Sequence, residues 1–400
     1  MMKIALVTST HDSHHGAVAH SLRELARGVT RRGGHVDLLA HGPQQRPLHP
    51  PEAGVAVHRF QAQPSGFGYA PPSELWTHLH GHADRYDLVH VHGHLPLPAA
   101  TSRGLFRRLV VSPDLAAAAP RARRPWVAQG QRRRFTRTAL ASADLVVCSS
   151  ETEAATVMRD LHAASAVPRV RVVRPGVDTR AIAAAQPYET ARRTILALAL
   201  PQVSWRTELA ISALPDLGPD YELVVLGLRG GRRPLEARAA DMKVASRVRF
   251  LGPVGEEELY RWLKTAWVLV APDNLAGGGA ATGLTLMQAA CAGTPVVASD
   301  TPANREAAEA IDHAAAVSLV SVRTSPLTLA DEIARAAQLR VGPLASLAVP
   351  SLEYAADQTV SLYSDLLEDR LEGEGGRSAR RSPTVVPLHR DEARVLGGAR

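Results

Sequence analysis

The sequence predicts an α/β protein with two doubly wound parallel sheets, each covered by helices on both faces. Short runs rich in Val and Leu alternate with segments of helical length, and the pattern occurs in both halves of the chain. Such Val- and Leu-rich runs are typical of strands covered on both faces. A chain of 400 residues is also longer than one ordinary domain.

The first half contains six predicted strands, with a helix between the first two. That helix, Val18–Arg32, carries apolar residues at helical spacing along one stripe. RPGVD, residues 174–178, is predicted to form the turn that leaves the sixth strand. The strands are Lys3–Thr8, His35–Ala40, Leu88–His92, Arg108–Ser112, Asp144–Cys148 and Arg169–Val173.

The second half repeats the alternation and ends in one long amphipathic helix, Leu352–Leu371. We therefore predict an N-terminal domain over residues 1–180, a C-terminal domain over 181–350 and a helix over 351–372. Residues 373–400 have little to bury, and we expect a disordered basic tail. The strands of the second half are Thr194–Leu198, Tyr221–Leu226, Arg247–Leu251, Trp267–Val270 and Pro295–Ala298.

Composition excludes several classes of protein. The apolar share of 45% excludes a wholly disordered chain, and there is no uncharged apolar run long enough to span a bilayer. Two cysteines cannot form a disulfide framework, and the first segment is typical of a buried strand, not of a signal peptide. The net charge is +7, but all except three of the 46 cations are arginine, which indicates genome bias more than nucleic-acid binding. We expect a cytoplasmic protein without a nucleic-acid partner.

The order of several motifs resembles the family-4 glycosyltransferases of GT-B fold, over roughly residues 2–371. The resemblance implies two Rossmann-like domains facing a central cleft, with the C-terminal helix crossing back to the N-terminal domain. It also implies sugar transfer from a nucleotide-diphosphate donor with retention at the anomeric carbon, without metal or cofactor. The acceptor would be a small molecule or a lipid-linked one. The motifs are MKIALVTST with Gly16, ELARGVTRRGGHVDLLAHG, YDLVHVHGH, SADLVVCSSETEA, VVRPGVD and, most specifically, GLTLMQAACAGTPVVASD.

The donor site implied by the resemblance departs from the family pattern at its two glutamates. Their positions hold Ala280, which cannot accept a hydrogen bond from a sugar hydroxyl, and Gln288, whose amide oxygen still can. The glycine pair expected after VVASD is Pro302-Ala303. Because backbone amides that open a helix bind phosphate without any side chain, we predict donor contacts from Gly283, Leu284 and Thr285 as well as Gln288.

The positions of the two cations that would bind the diphosphate also differ from the family pattern. The family's arginine and lysine correspond to Leu200 and Trp205 in this chain. Arg206 is one residue away, and a guanidinium can bridge diphosphate oxygens, so we predict that Arg206 binds the donor. Arg229, after the strand Tyr221–Leu226, is the second candidate.

Candidate acceptor groups follow the predicted strands of the first half. We assign acceptor binding to His15, Gly16 and His94, and a catalytic role to His92, because strand ends in such sheets point into the ligand crevice. The family often carries a histidine where this chain has Asp114, which we predict to be a polar group near the reacting carbon.

Histidines are concentrated in the first 94 residues, which hold 14 of the 17. His90, His92 and His94 alternate, so on a strand they share one face, and His11, His14 and His15 fall in the first loop. A Zn²⁺ site is one interpretation of this spacing. A polar wall without metal is the favoured one, because the resembled family is metal-independent.

Residues 103–137 carry ten arginines and one acid, with aromatic residues between them. One interpretation is weak peripheral contact with anionic lipid. A solvated helix face is favoured, because prolines interrupt any amphipathic pattern.

A rival to the enzyme is a catalytically inactive GT-B pseudo-glycosyltransferase that acts as a scaffold or regulator for a partner glycosyltransferase. The residues that motivate it are Ala280, Leu200 and Trp205, because they replace the groups that would bind the donor.

Overall fold

The computed structural model describes residues 1–8, 17–41, 53–60, 63–65, 68–70, 73–93, 105–113, 137–161, 168–199, 206–227, 232–272, 280–311, 316–339 and 349–373. These residues form two compact units, each with its own parallel sheet and core, and this confirms the predicted α/β class. The N-terminal unit contains residues 1–8, Val18–Gly176 and the chain from Leu352 onward, and the C-terminal unit contains Val177–Ser351.

The N-terminal unit is built on seven parallel strands in the order β3-β2-β1-β6-β7-β8-β9, and all six predicted strands are present. β4 (Gln63–Ser65) and β5 (Gly68–Ala70) pair separately as an antiparallel ribbon. The seven strands are β1 (Lys3–Thr8), β2 (His35–His41), β3 (Val55–Phe60), β6 (Leu88–His92), β7 (Leu109–Ser112), β8 (Leu145–Cys148) and β9 (Arg169–Val172).

The strand β3 was not predicted from the sequence. β3 lies at the edge of the sheet, and its side chains are half-buried or exposed. An edge strand does not need the continuous apolar run that identifies a strand covered on both faces.

Helices of the N-terminal unit cover both faces of its sheet. They are α1 (Ala17–Arg31), α2 (Ser73–His82) and α3 (Glu151–Leu161), and residues 137–142 are also helical. Leu22, Leu25 and Val29 of α1 pack on the face that carries Ile4 and Leu6 of β1. The alternating residues of β1 face the opposite core, together with α2, as the period of a strand requires.

The C-terminal unit has six parallel strands in the order β12-β11-β10-β13-β14-β15. The predicted strands are all present, whereas β15, a short and partly exposed edge strand, was missed. The strands are β10 (Arg193–Leu198), β11 (Tyr221–Leu226), β12 (Val248–Phe250), β13 (Val268–Ala271), β14 (Val296–Ser299) and β15 (Val317–Val320).

Seven helices are described in the C-terminal unit, and they form two layers. α5, α6 and α10 pack on one face with Ile195 and Ala197 of β10, whereas α4, α7, α8 and α9 pack on the other with Leu196 and Leu198. The helices are α4 (Thr179–Ala184), α5 (Thr207–Ala213), α6 (Arg232–Asp241), α7 (Glu256–Thr265), α8 (Ala280–Cys291), α9 (Pro302–Ile311) and α10 (Pro326–Gln338).

The last helix, α11 (Leu352–Gly373), packs on the N-terminal unit, and this confirms the predicted crossing of the chain. Val360, Tyr363 and Leu366 are buried in the same core as β1 and α1. Arg108 donates from Nε to the carbonyl of Leu366 at 3.2 Å. The predicted disordered tail from 374 onward lies outside the described residues.

Both sheets reverse their strand order once, and these reversals locate the candidate site. The reversal lies between β1 and β6 in the N-terminal unit, and between β10 and β13 in the C-terminal unit. In open α/β sheets, ligands bind beyond the carboxyl ends of the strands at such a switch point. Among the described residues, no helix is both long enough and apolar enough to cross a bilayer.

Candidate functional site

At the switch point of the N-terminal unit, β1 and β6 end side by side. Thr8 and His92 are register partners at the carboxyl ends of these two strands. His92 is half-buried and Thr8 is buried. The other groups predicted here, His15, Gly16, His94 and Asp114, lie outside the described residues.

His92 belongs to a hydrogen-bonded group with His90, Ser112 and Tyr363. Nε2 of His92 lies 3.2 Å from Nδ1 of His90, and Nε2 of His90 lies 2.8 Å from the Ser112 hydroxyl. Nδ1 of His90 also forms a hydrogen bond with the Tyr363 hydroxyl, whose ring lies edge-on to the imidazole. We call these four residues the His90 network. It joins β6, β7 and α11 and was not predicted, because Tyr363 is 273 positions away in sequence.

Burial keeps the histidines of the His90 network neutral. It lowers the pKa of His92 to about 3, and it lowers the pKa of His90 well below the usual value, with the neighbouring His92 adding to the effect. A neutral ring can donate or accept a hydrogen bond, but it is a weak general base at neutral pH. For the catalytic role predicted from the sequence, His92 is therefore better suited to hydrogen bonding with a ligand than to taking up a proton.

Metal ligation finds no support in the described residues, which contain no group of three or more His, Cys, Asp or Glu side chains placed to hold an ion. The loop histidines His11, His14 and His15, which the zinc interpretation needed, lie outside them. The arginine-rich segment is described only at its ends, where Phe106 is buried and Arg107 pairs with Asp87 at 3.5 Å.

At the switch point of the C-terminal unit, Arg206 connects the loops that follow β10 and β13. Its backbone N–H donates to the carbonyl of Pro272 at 2.6 Å. Its guanidinium donates to the carbonyl of Val322 at 3.3 Å and lies 3.7 Å from the carboxylate of Glu208. The side chain therefore turns toward the loop after β15. The other candidates for the cation slots, Leu200, Trp205 and Arg229, lie outside the described residues.

The helix that follows β13 starts earlier than the sequence predicted. α8 begins at Ala280, three residues before Gly283. An α-helix leaves only the N–H groups of its first turn unpaired, so the free amides belong to residues 280–282. The amides of Leu284 and Thr285 fall inside the helix, and their side chains are buried. The prediction that Gly283–Thr285 open the helix is corrected accordingly.

Gly283 and Gln288 have structural neighbours of their own. A Cβ at Gly283 would lie 3.6 Å from the Cβ of Ala307, which is an ordinary contact distance, so Gly283 lies where α8 faces α9. Gln288 is only 4% exposed and forms a side-chain hydrogen bond with Tyr260. Burial raises the pKa of the Tyr260 hydroxyl, and the nearby carboxylates of Glu256 and Asp178 add to the rise.

Pro302 and Ala303 start α9, and the polar groups around them were missed by sequence reasoning. The Thr301 hydroxyl accepts from the N–H of Asn304 at 3.2 Å, and the Asn304 side chain donates to the carbonyl of Ser299 at 2.8 Å. The threonine three residues before Asn304 is the pattern of a helix cap and was the available signal.

Two family models match the chain, one on each unit. The model described as Glycosyltransferase Family 4 matches residues 18–181, and the model described as Glycosyl transferases group 1 matches residues 192–338. Together they cover more than three quarters of the chain. The chain belongs to the family-4 glycosyltransferases of GT-B fold. The resemblance found in the sequence is thereby confirmed.

Two curated relatives of this chain are D-inositol 3-phosphate glycosyltransferases. The protein from Streptomyces scabiei is 30% identical over 69% of this chain and 63% of its own length. The protein from Stackebrandtia nassauensis is 27% identical over 90% of this chain and 88% of its own length. The chain spans 41% of the length of a further relative, from Xylanimonas cellulosilytica, and 63% of the Streptomyces scabiei protein, so it matches only part of these relatives.

Solved structures share the fold of this chain. Sucrose-phosphate synthase from Thermosynechococcus elongatus is similar with a TM-score of 0.65 at 18% identity, over 93% of this chain and 98% of the other. Anabaena HepE in complex with UDP and glucose is similar with a TM-score of 0.62 at 16% identity, over 94% and 100%. At such identities the likeness concerns the GT-B fold alone.

Proposed function

We propose that this protein transfers a sugar, with retention, from a nucleotide-diphosphate donor to an acceptor that carries an inositol phosphate group. The observation that carries the proposal is the match of each unit to one of two glycosyltransferase family models. Relatives named for D-inositol 3-phosphate support the acceptor, and a structural neighbour with bound UDP and glucose supports the donor. The acceptor is either free inositol phosphate or the same group on a lipid.

The donor binds at the switch point of the C-terminal unit in this proposal. Negative charge grows on the diphosphate as it leaves, and the free amides of α8 at residues 280–282 stabilise that charge. Gly283 lies where α8 faces Ala307 of α9. Gln288 offers its amide oxygen to a ribose hydroxyl only if its hydrogen bond with Tyr260 is exchanged, because its side chain is buried.

Two arginines can supply the cation for the diphosphate. The backbone of Arg206 lies at the switch point, but its guanidinium contacts Val322 and Glu208. Arg229 follows β11, the strand next to β10. We assign the larger share to Arg229, because Arg206 would have to leave its present contacts.

The acceptor binds at the switch point of the N-terminal unit in this proposal. His15, Gly16 and His94 contact it, and His92 supplies a neutral ring as a hydrogen-bond partner. Asp114 follows β7 closely and would place a carboxylate near the reacting carbon. Ser112, at the end of β7, already binds His90 and so links this strand to the His90 network.

The proposal is tested by calorimetric titration and thermal shift of the purified chain with UDP, GDP, ADP and dTDP. A nucleotide that binds the native state must raise its melting temperature, and we expect one of the four to do so. If none of the four nucleotides binds, the donor proposal is wrong, and the result favours the hypothesis of a catalytically inactive scaffold. Turnover by the purified chain alone excludes the scaffold.

A matched pair of variants locates the donor. Thr282→Glu places an acid in the first turn of α8, where it stabilises the helix but repels a diphosphate. We expect nucleotide affinity to fall by about tenfold or more, equivalent to roughly 1.4 kcal/mol, without a lower melting temperature. Leu327→Glu places an acid in the first turn of α10, at a residue that is 58% exposed, and should leave nucleotide affinity unchanged.

A further inference from the structure

A cavity of about 430 Å³ lies between α5, α6 and the start of α10 in the C-terminal unit. Its size falls within the range of small-molecule sites. The polar residues of its wall are Arg206, Glu208, Ser212, Arg238 and Thr324, and two prolines and a leucine form the apolar part. We call it the α5–α6–α10 cavity.

Two arginines line this cavity: Arg206, immediately before α5, and Arg238, on α6. Nε of Arg238 donates to the Ser212 hydroxyl at 2.9 Å, and Ser212 donates to the carbonyl of Glu208 at 2.6 Å. Within the described part of the chain, Arg238 therefore keeps its two terminal nitrogens for another acceptor. The guanidinium of Arg206 is oriented by its hydrogen bond to the carbonyl of Val322 and lies 3.7 Å from the carboxylate of Glu208. The two arginines and the one glutamate of the wall therefore carry a net charge of +1.

Thr324 supplies an independent sign of a ligand. It is 9% exposed, it lines the cavity, and its Oγ1 is buried without a hydrogen-bond partner among the described residues. Its backbone N–H is already used by the carbonyl of Ser321. Buried hydroxyls are nearly always paired in native proteins, so an unpaired one on a cavity wall is a group available to a bound molecule.

We infer that the α5–α6–α10 cavity binds a small phosphomonoester. Guanidinium forks match tetrahedral oxyanions, and a site with two of them and the Thr324 hydroxyl favours a doubly charged phosphate over a carboxylate. The volume exceeds that of phosphate alone, and the prolines and leucine can contact an organic part. No aromatic residue belongs to the wall described, so nothing there stacks a base, which separates this site from a nucleotide site.

This inference does not need the transfer reaction, and its test uses residues outside the proposed donor site. The full-length protein is titrated calorimetrically with glucose 6-phosphate, inorganic phosphate and glucose, with ionic strength held constant by NaCl. We expect glucose 6-phosphate to bind and glucose not to bind. Equal affinity for inorganic phosphate would mean that the phosphate group alone is recognised, whereas weaker affinity would assign part of the binding to the apolar wall.

Variants decide whether the binding occurs in this cavity. Arg238→Ala should weaken glucose 6-phosphate binding at least tenfold, whereas Arg233→Ala, an exposed arginine on the same helix, should not change it. Thr324→Val should weaken binding without lowering the melting temperature of the free protein. If neither phosphate compound binds, or if both arginine variants lose affinity equally, the inference is wrong. Loss of glucose 6-phosphate binding in the presence of a saturating nucleotide would assign it to the donor site and also overturn the inference.

Discussion

The two switch points differ in how their polar groups are used. In the N-terminal unit, His90 is fully buried and its ring nitrogens are bound to Ser112 and Tyr363, with His92 also in contact. In the C-terminal unit, the Arg206 side chain is partly exposed and makes one hydrogen bond and one long ion pair among the described residues. The ring nitrogens of His90 are thus used by hydrogen bonds within the protein, whereas the guanidinium of Arg206 retains N–H donors for a ligand.

We therefore expect substitutions in the His90 network to change mainly the stability of the protein, and substitution of Arg206 to change mainly ligand affinity. Removing a member of the His90 network leaves buried partners unpaired, and such losses lower the free energy of unfolding. Removing a partly exposed arginine costs little stability, and its loss is measured in ligand affinity.

The largest effect is expected from His90→Leu. The variant leaves the buried Tyr363 hydroxyl and the Ser112 hydroxyl without their partner, and we expect a loss of about 2–4 kcal/mol in the free energy of unfolding. Denaturant unfolding measures it. His80→Leu, at an exposed histidine of α2, is the control and should change stability by about 0.5 kcal/mol or less. A loss below about 1 kcal/mol for His90→Leu would contradict the closed network.

The next effect concerns the donor cation. Arg229→Ala should weaken nucleotide binding by roughly 30- to 150-fold, equivalent to about 2–3 kcal/mol for a bidentate guanidinium on phosphate. Arg206→Ala should have a smaller effect, because its guanidinium already contacts Val322 and Glu208. Calorimetry with the nucleotide that binds wild type measures both. The reverse order would mean that Arg206 leaves its contacts when the donor binds.

Dependence of stability on pH tests the neutral histidines. Because burial lowers the pKa of His90 and His92, the unfolded chain takes up protons below pH 6.5 that the folded chain refuses. Stability should therefore fall as pH falls from about 6.5 to 4.5, by up to about 1.4 kcal/mol per pH unit for each ring, and should be flat above this window. The pKa of Asp37 is also lowered, and the stability that this carboxylate contributes is lost only when the pH falls below its usual pKa of 3.8.

His92→Gln isolates one ring of the pair. The variant should reduce the slope of unfolding free energy against pH by about 1.4 kcal/mol per unit between pH 6 and 4.5. An unchanged slope would show that the His92 ring is protonated in the folded protein within this range.

The smallest effect has the opposite sign. Thr324→Val removes a buried hydroxyl that has no partner among the described residues, and we expect the ligand-free protein to gain about 0.5–1 kcal/mol. Thr359→Val is the control, because the Thr359 hydroxyl is paired with the carbonyl of Ala355 at 3.0 Å and should give no gain. A destabilised Thr324→Val protein would show that the hydroxyl has a structural partner.

The sequence predicted the buried strands and the second sheet, because runs rich in Val and Leu mark burial directly. The return of α11 was predicted from the family resemblance. The edge strands β3 and β15 were not predicted, although the edge strands β9 and β12, which are no more buried, were. The start of α8 was misplaced because neither glycine nor alanine in GGGAATG is a marked helix cap. The His90 network depends on contacts between β6 and α11, which local patterns do not encode.

The central claim is sugar transfer, and product analysis tests it most directly. The purified protein is incubated with UDP-, GDP-, ADP- and dTDP-glucose, together with myo-inositol phosphate or with vesicles that contain phosphatidylinositol, and the products are analysed by mass spectrometry and NMR. We expect one donor to give an acceptor with one added hexosyl group in the retained α configuration, and Thr282→Glu to reduce its rate. A nucleotide that binds while none of these pairs gives product would contradict the enzyme and favour the scaffold.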